Sequence, residues 1–227
     1  MSDSGLVARL AQVRETIARH QGERGWTHPV TIIAVTKGHG ADAVRAAARA
    51  ALTAVGENRV QEALAKQDEC GDVTIAWHLI GTLQRNKVRQ VVGRFAMLHA
   101  VDRIELADEL QRRIGSGAAQ PVLIQVNCSG EAQKGGVEPA ALGTLLDAIR
   151  SLDRLSVRGL MTMAALTDDR DEQRRSFAML RRLRDDQRQR GHDLPDLSMG
   201  MSGDYPVAVE EGATMVRLGT VLFGARA

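Results

Sequence analysis

Aromatic residues are scarce in this chain: six among 227, at Trp26, Trp77, Phe95, Phe177, Tyr205 and Phe223. That scarcity removes the stacking platforms on which single-strand nucleic-acid binders lay successive bases. Cysteine is nearly absent. Cys70 and Cys128 have neither the spacing of metal ligands nor the number for a disulfide framework, so no metal site is expected. No N-terminal apolar run has signal-peptide or membrane-span character, which predicts a soluble, cytoplasmic protein with no membrane partner. Neither sign of charge dominates, since 30 basic and 28 acidic residues leave +2, and no nucleic-acid partner is implied. Lysine is also rare. Of the 30 basic residues only four are lysine (Lys37, Lys66, Lys87 and Lys134), so chemistry needing a primary amine has four candidate positions.

What is present is the composition of an ordinary globular protein, 44% hydrophobic and 26% charged, with no Pro/Ser-rich linker. One domain over residues 1–227 is expected. Leu6, Leu10, Val13 and Ile17 recur at helical spacing, predicting an N-terminal helix within 1–22 that packs on the main fold. Then VTIIAVT (30–36) is a short β-branched run of the kind buried on both faces of a sheet. Ala-rich 41–52 follows as a helix, with Asp42 near its start complementing the dipole.

The alternation repeats. Strand-like runs fall at 53–55, 76–80, 96–101, 122–126, 155–160, 197–198 and 214–218. Helical stretches lie between them near 58–70, 84–93, 103–115, 139–150, 170–190 and 204–211, with a last turn at 221–225. Eight strand–helix units imply parallel pairing and an α/β fold, a single (β/α)8 TIM barrel with an extra N-terminal helix. A doubly wound open sheet fits eight strands less well. The charge-dense segment 168–190 places Phe177, Leu180 and Leu183 on one stripe and reads as a solvated outer helix, with a docking surface as the other reading.

Functional residues in such folds gather at the C-terminal ends of the strands. Lys37 directly follows the first strand, at the mouth, whereas Lys66 and Lys87 fall in helices of the outer ring and Lys134 in the loop after strand five. A mouth lysine beside a desolvated pocket is suited to Schiff-base chemistry, and is otherwise an exposed loop lysine. After the last two strands come SMGMSGD (198–204) and MVRLGT (215–220), small-residue loops where barrels build phosphate sites. Arg217 lies inside a strand and needs a partner, either a carboxylate such as Glu57 or a ligand heteroatom. Asn58 bonds a ligand or caps the following helix; His78 faces a site or is a satisfied interior histidine. The long loop 128–136 is read as flexible enough for a lid.

Seven stretches then become diagnostic together: AVTK (34–37), GENRVQEALAK (56–66), WHLIGTLQRNK (77–87), VLIQVN (122–127), RGLMTM (158–163), LSMGMSGDY (197–205) and GATMVRLGTVLFGAR (212–226). They resemble, in order and over nearly the whole chain, the pyridoxal 5′-phosphate homeostasis protein family, once called the proline-synthase co-transcribed family. The resemblance implies the alanine-racemase-like barrel of fold-type III, with pyridoxal 5′-phosphate as cofactor and Lys37 as its covalent aldimine. It implies that Ser202, Gly219 and Thr220 hold the phosphate, that Arg217 faces the pyridine nitrogen, and that Asn58 lies near the ring's polar edge. His78 and Ile80 would line the ring pocket.

A cation at the ring nitrogen weakens the cofactor as an electron sink. The racemase's second domain is expected to be absent, and Tyr205 is not assumed to replace its catalytic tyrosine. These points agree with the family's role of storing, buffering or delivering the cofactor for vitamin B6 homeostasis, without substrate turnover. Cofactor-dependent apo-enzymes would then be partners, and a monomer is expected. An amino-acid racemase using the same aldimine and a Schiff-base sugar-phosphate aldolase are the alternatives. Two departures from the family pattern stand out: Gly38-His39-Gly40 after the lysine, read as a more flexible rim with an exposed histidine, and Gly203 in place of an aspartate.

Overall fold

The computed structural model describes residues 3–115 and 117–224. Within them, eight parallel strands close in sequence order: β1 (Thr31–Val35), β2 (Ala54–Glu57), β3 (Ala76–Leu79), β4 (Met97–Val101), β5 (Gln120–Gln125), β6 (Leu155–Met161), β7 (Asp196–Ser198) and β8 (Met215–Leu218). The seam closes with Ile33 of β1 level with Arg217 of β8. Helices α1 (Asp3–Arg24), α2 (Ala41–Arg49), α3 (Val60–Glu69), α4 (Val88–Val91), α5 (Ile104–Arg113), α6 (Leu142–Ile149), α7 (Arg170–Gln189), α8 (Tyr205–Glu210) and α9 (Thr220–Phe223), with three 3-10 turns at Arg85–Lys87, Ala132–Lys134 and Pro139–Ala141, complete the described elements. The expected barrel is therefore the observed one.

Boundaries moved where turn chemistry outweighed pattern. β2 runs on to Glu57, and α3 starts at Val60 with Arg59 as its N-cap, so Asn58 does not cap it. The helix expected over 84–93 is a 3-10 turn, Arg85–Lys87, followed by the single turn of α4. Residues 1–2 of the N-terminal segment, residues 225–226 of the last motif and residue 227 lie outside the described residues.

Strand alternation divides the core in two. Ile33, Ala54, Met97, Leu123, Met161 and Met215 fill the lower barrel interior. Residues of opposite parity, such as Ala34, Val55, Leu79, Leu98 and Val216, pack outward against the helices. Both cysteines are buried thiols in that outer layer.

α1 buries Leu6, Leu10, Val13 and Ile17 and is tied to the far end of the chain. Arg9 Nε donates to the Leu222 carbonyl (2.6 Å), and His20 Nδ1 lies 2.8 Å from Glu210 Oε1. Just beyond the helix, Trp26 Nε1 donates to the Glu210 carbonyl at 2.9 Å.

α7 begins where the Asp169 carboxylate accepts from the amides of Asp171 (2.8 Å) and Glu172 (3.3 Å), a cap worth about 1 kcal/mol. It buries Phe177 and Leu180, and Leu183 packs at the margin. It is not simply a solvated helix. Arg170 and Arg174 bond Glu210 at 2.7–2.8 Å and Arg181 bonds Glu211 at 2.9 Å, so its cations neutralise two buried carboxylates at the end of α8.

Gly159 marks the tightest approach between neighbouring strands, because a Cβ there would overlap the Asp196 carbonyl oxygen of β7. The β5–β6 register also shifts beside it. Gly159→Ala is expected to lower stability by about 2 kcal/mol, the usual scale of overpacking, read as a reduced urea midpoint with an unchanged slope.

Candidate functional site

Alternation carries inward residues up to the C-terminal rim. In β1 the inward positions are Ile33 and Val35, and Lys37 continues that parity in the turn beyond the strand. Lys37 is half-buried, and the turn is closed by His39 N donating to the Thr36 carbonyl at 3.0 Å. Gly38 takes the left-handed conformation (φ +76°) that makes this turn possible. His39 is not an exposed rim residue: its half-buried ring lies 5.4 Å from that of Phe223 in α9, tying the first rim loop to the last helix.

Asn58 has the same parity on β2, half-buried at the rim. Its carbonyl lies where a Cβ on Gly81 would be, so glycine is what lets the end of β3 close on it. A Cβ on Gly56 would come within 2.9 Å of Ile33 and 3.2 Å of Ile80, which places Ile80 over the space that Gly56 leaves.

One level below the rim, polar side chains link across the interior. His78 Nδ1 lies 2.8 Å from His99 Nε2, and His99 Nδ1 lies 2.9 Å from Ser198 Oγ. Arg217 Nη1 donates to that same Oγ at 2.7 Å and to the Ser198 carbonyl at 2.8 Å, while Nη2 donates to the Thr162 carbonyl at 2.8 Å. Because Arg217 can only donate, the Ser198 hydroxyl is an acceptor towards it and has its own proton to give to His99 Nδ1. With the hydroxyl proton so directed, His99 would donate through Nε2–H to His78 Nδ1 and His78 would carry its proton on Nε2.

Arg217 is 4% exposed, and no described carboxylate lies within ion-pairing distance of it. Glu57, one candidate partner, is bonded instead to Thr36 and Lys66 on the opposite face of the strands. Burial brings Arg217 down to about 10, partly offset by the more distant Asp204 charge, so it remains a cation at neutral pH. Three of its N–H donors are engaged by described residues, all with uncharged acceptors.

The loops after β7 and β8 meet at Ser202. Its Oγ accepts from Gly219 N (3.2 Å) and Val221 N (3.3 Å), while the Asp204 carboxylate holds the loop by accepting from Met201 N at 2.5 Å. Burial pushes the Asp204 carboxyl up. Thr220 is exposed in the first turn of α9, and a side chain at Gly203 would meet open space, so that departure leaves the turn unaltered. A cleft of about 420 Å³ opens beside these loops, lined by Lys134, Met163, Leu166, Asp168, Met201 and Gly203 among others.

One expectation is refined here and another fails. Lys66 lies in a helix of the outer ring, α3, as expected, but its side chain turns in against the strands: it is 8% exposed, with Nζ 2.6 Å from Glu57 Oε1. Its placement was signalled by Val60, Ala63 and Lys66 sharing the three-residue spacing of one buried helix face. The loop over 128–136 is a braced structure rather than a free lid. Gln125 Nε2 donates to the Lys134 carbonyl (2.7 Å), Asn127 Oδ1 accepts from Gly130 N (3.1 Å), and Lys134 Nζ reaches Glu131 and the Ala164 carbonyl. His99 and Ser198 went unread as site residues, although inward parity beside His78 and Arg217 was the available signal; Thr162 contributes only its carbonyl, which no side-chain pattern marks.

A closed parallel barrel with an amine beyond its first strand and a serine joining its last two loops defines a class, and residues 10–227 match the family described as alanine racemase, N-terminal domain. The alanine racemase of Clostridium difficile shares the fold, with TM-score 0.76 at 15% identity over 98% of this chain and 56% of its own. Within that class the chain belongs to the pyridoxal phosphate homeostasis protein family. It is 42% identical over 222 residues to the protein of that name from Aquifex aeolicus, covering 96% of this chain and 97% of the relative. It also superposes on PipY of Synechococcus elongatus, solved with pyridoxal phosphate bound, with TM-score 0.84 and 39% identity over 96% of this chain and 100% of that one.

The interior histidines dictate a pH dependence. Burial holds His78 at about 4 against an ordinary 6.5, and holds His99 well below it, with His78 and Arg217 adding to the effect. From pH 6.5 down towards 4 the unfolded chain takes up protons that the folded chain refuses, so stability falls on acidification and rises again with pH. The urea midpoint is expected to drop across that interval, and His78→Gln to flatten the drop relative to the parent.

Proposed function

We propose that this protein binds pyridoxal 5′-phosphate at the barrel mouth and retains it covalently through Lys37. On this reading it stores, buffers or delivers the cofactor in cytoplasmic vitamin B6 homeostasis without turning over a substrate. Relatives bearing that name, and a neighbour solved with the cofactor bound, support the reading. No helix among the described residues is long and apolar enough to cross a membrane.

The residues fit the group. When bound, the cofactor supplies an aldehyde open to attack by an amine and a pyridine ring that can withdraw electrons. Lys37 is the mouth amine. Ser202, Gly219 and Thr220 form a small-residue turn suited to a phosphate, Asn58 serves the ring's polar edge, and His78 and Ile80 line the ring. The observation that carries the reading is Arg217, a buried cation that meets only neutral acceptors and retains unengaged donors for a ring nitrogen. Its charge opposes protonation of that nitrogen, which limits electron withdrawal and favours holding over turnover.

Racemisation would also require groups that gain and lose protons near neutral pH. His78 and His99 are held neutral by burial, and the hydrogen bond between them occupies one nitrogen of each. A monomer that hands the cofactor to apo-enzymes is the matching assembly. Val7 (53% exposed) and Leu166 (94%) are the exposed large hydrophobic residues among those described, which offers little for an extensive permanent interface.

The test is absorption spectroscopy with added cofactor, then borohydride reduction and mass spectrometry. The expected result is a visible band and a modified peptide containing Lys37, both lost in Lys37→Ala. A colourless protein that takes up no cofactor overturns the reading. Trapping that needs a sugar phosphate instead would identify an aldolase.

A further inference from the structure

Directly behind Lys37, on the helix side of the strands, Thr36, Glu57 and Lys66 form a closed knot. Lys66 Nζ donates to the Thr36 carbonyl at 2.7 Å and to Glu57 Oε1 at 2.6 Å. The Thr36 hydroxyl donates to the same Oε1 at 2.5 Å, and Thr36 N donates to the Gly56 carbonyl at 3.2 Å. Thr36 and Glu57 are 0% exposed. Every polar group of Thr36 is thereby engaged, and its carbonyl belongs to the peptide that leads into Lys37.

The knot is a poor device for stability alone. A buried ion pair gains little over well-packed apolar side chains, because both charges must leave water. Here the cost is larger, since Glu57 Oε2 is buried with no hydrogen-bond partner. What the knot does provide is orientation. With the Thr36 amide, carbonyl and hydroxyl fixed, the plane of the Thr36–Lys37 peptide is fixed too. The direction in which the Lys37 side chain leaves the backbone is set by that plane.

We propose that Glu57 and Lys66 are positioning residues for Lys37: acting through Thr36, they aim its amine into the barrel mouth. The consequence for cofactor capture rests on the function proposed above; the consequence for the backbone does not.

The full-length chain with both charges replaced, Glu57→Met with Lys66→Met, separates positioning from stability. Its thermal midpoint is expected to match or exceed the parent's, while borohydride-trapped pyridoxal phosphate on Lys37 accumulates about tenfold more slowly, the scale of a misaimed reacting group. Lys66→Arg, which keeps a cation and donors, is expected to recover part of the rate. Hydrogen–deuterium exchange over residues 36–40, read without cofactor, is expected to quicken in the double variant. A stable double variant with parental trapping and parental exchange overturns the proposal.

If the parent itself traps no cofactor, the function reading fails, and exchange alone decides the positioning claim by the same two outcomes. If the double variant does not fold, near-isosteric Thr36→Val removes only the hydroxyl contact. Slower trapping or faster exchange in it supports the proposal, and parental values of both overturn it.

Discussion

Inside the barrel the guanidinium of Arg217 sits among uncharged acceptors, and the rest of that level is arranged to tolerate it. A buried cation imposes two demands on its surroundings: acceptors for its donors, and no second cation nearby. The carbonyls of Ser198 and Thr162 and the Ser198 hydroxyl answer the first. The second appears in His99, where desolvation, His78 and Arg217 all act against protonation. One fixed charge, with burial, thereby orients a run of polar groups across the interior as far as His78.

Strand parity is why no carboxylate among the described residues pairs directly with Arg217, Asp204 acting on it only from a distance. Glu57 follows Gly56, and that single residue puts its carboxylate on the helix side of β2, where Lys66 and Thr36 claim it. Had the acid stood one position earlier, it would have faced the interior and competed for Arg217. The two faces of the same strands thus carry different electrostatics. The outer face holds a closed ion pair, and the inner face holds a lone cation with donors to spare. A ligand that brings an acceptor completes the inner face.

Much of this was legible in the primary structure. The period of strand and helix runs specified a parallel sheet covered on both faces, and the count of eight units favoured a closed barrel over a doubly wound sheet. Lys37, Asn58, His78 and the Ser202 and Gly219 loops followed from asking which residues end a strand, and Arg217 from being a charge inside one. What stayed hidden depended on which face of an element a side chain takes. Placing Lys66 in an outer-ring helix does not say which way it faces; its register with Val60 and Ala63 does. His99 and Ser198 form hydrogen bonds only across a closed barrel, between residues 99 apart in sequence. The bracing of 128–136 likewise depends on Gln125 reaching back to the Lys134 carbonyl, a contact that Gly-rich composition conceals.

The tether between α1 and the α8–α9 region has a bearing on how the chain comes to be folded. The face of α1 that carries Leu6, Leu10, Val13 and Ile17 is fully covered only when α8 and α9 arrive, and Arg9 meets the Leu222 carbonyl across 213 residues of chain. Contacts of such separation carry a high loop-closure cost, so the docking of α1 on α8 and α9 is a late folding event. A chain whose barrel is otherwise assembled would still show part of that apolar face, the surface through which a half-folded form would aggregate.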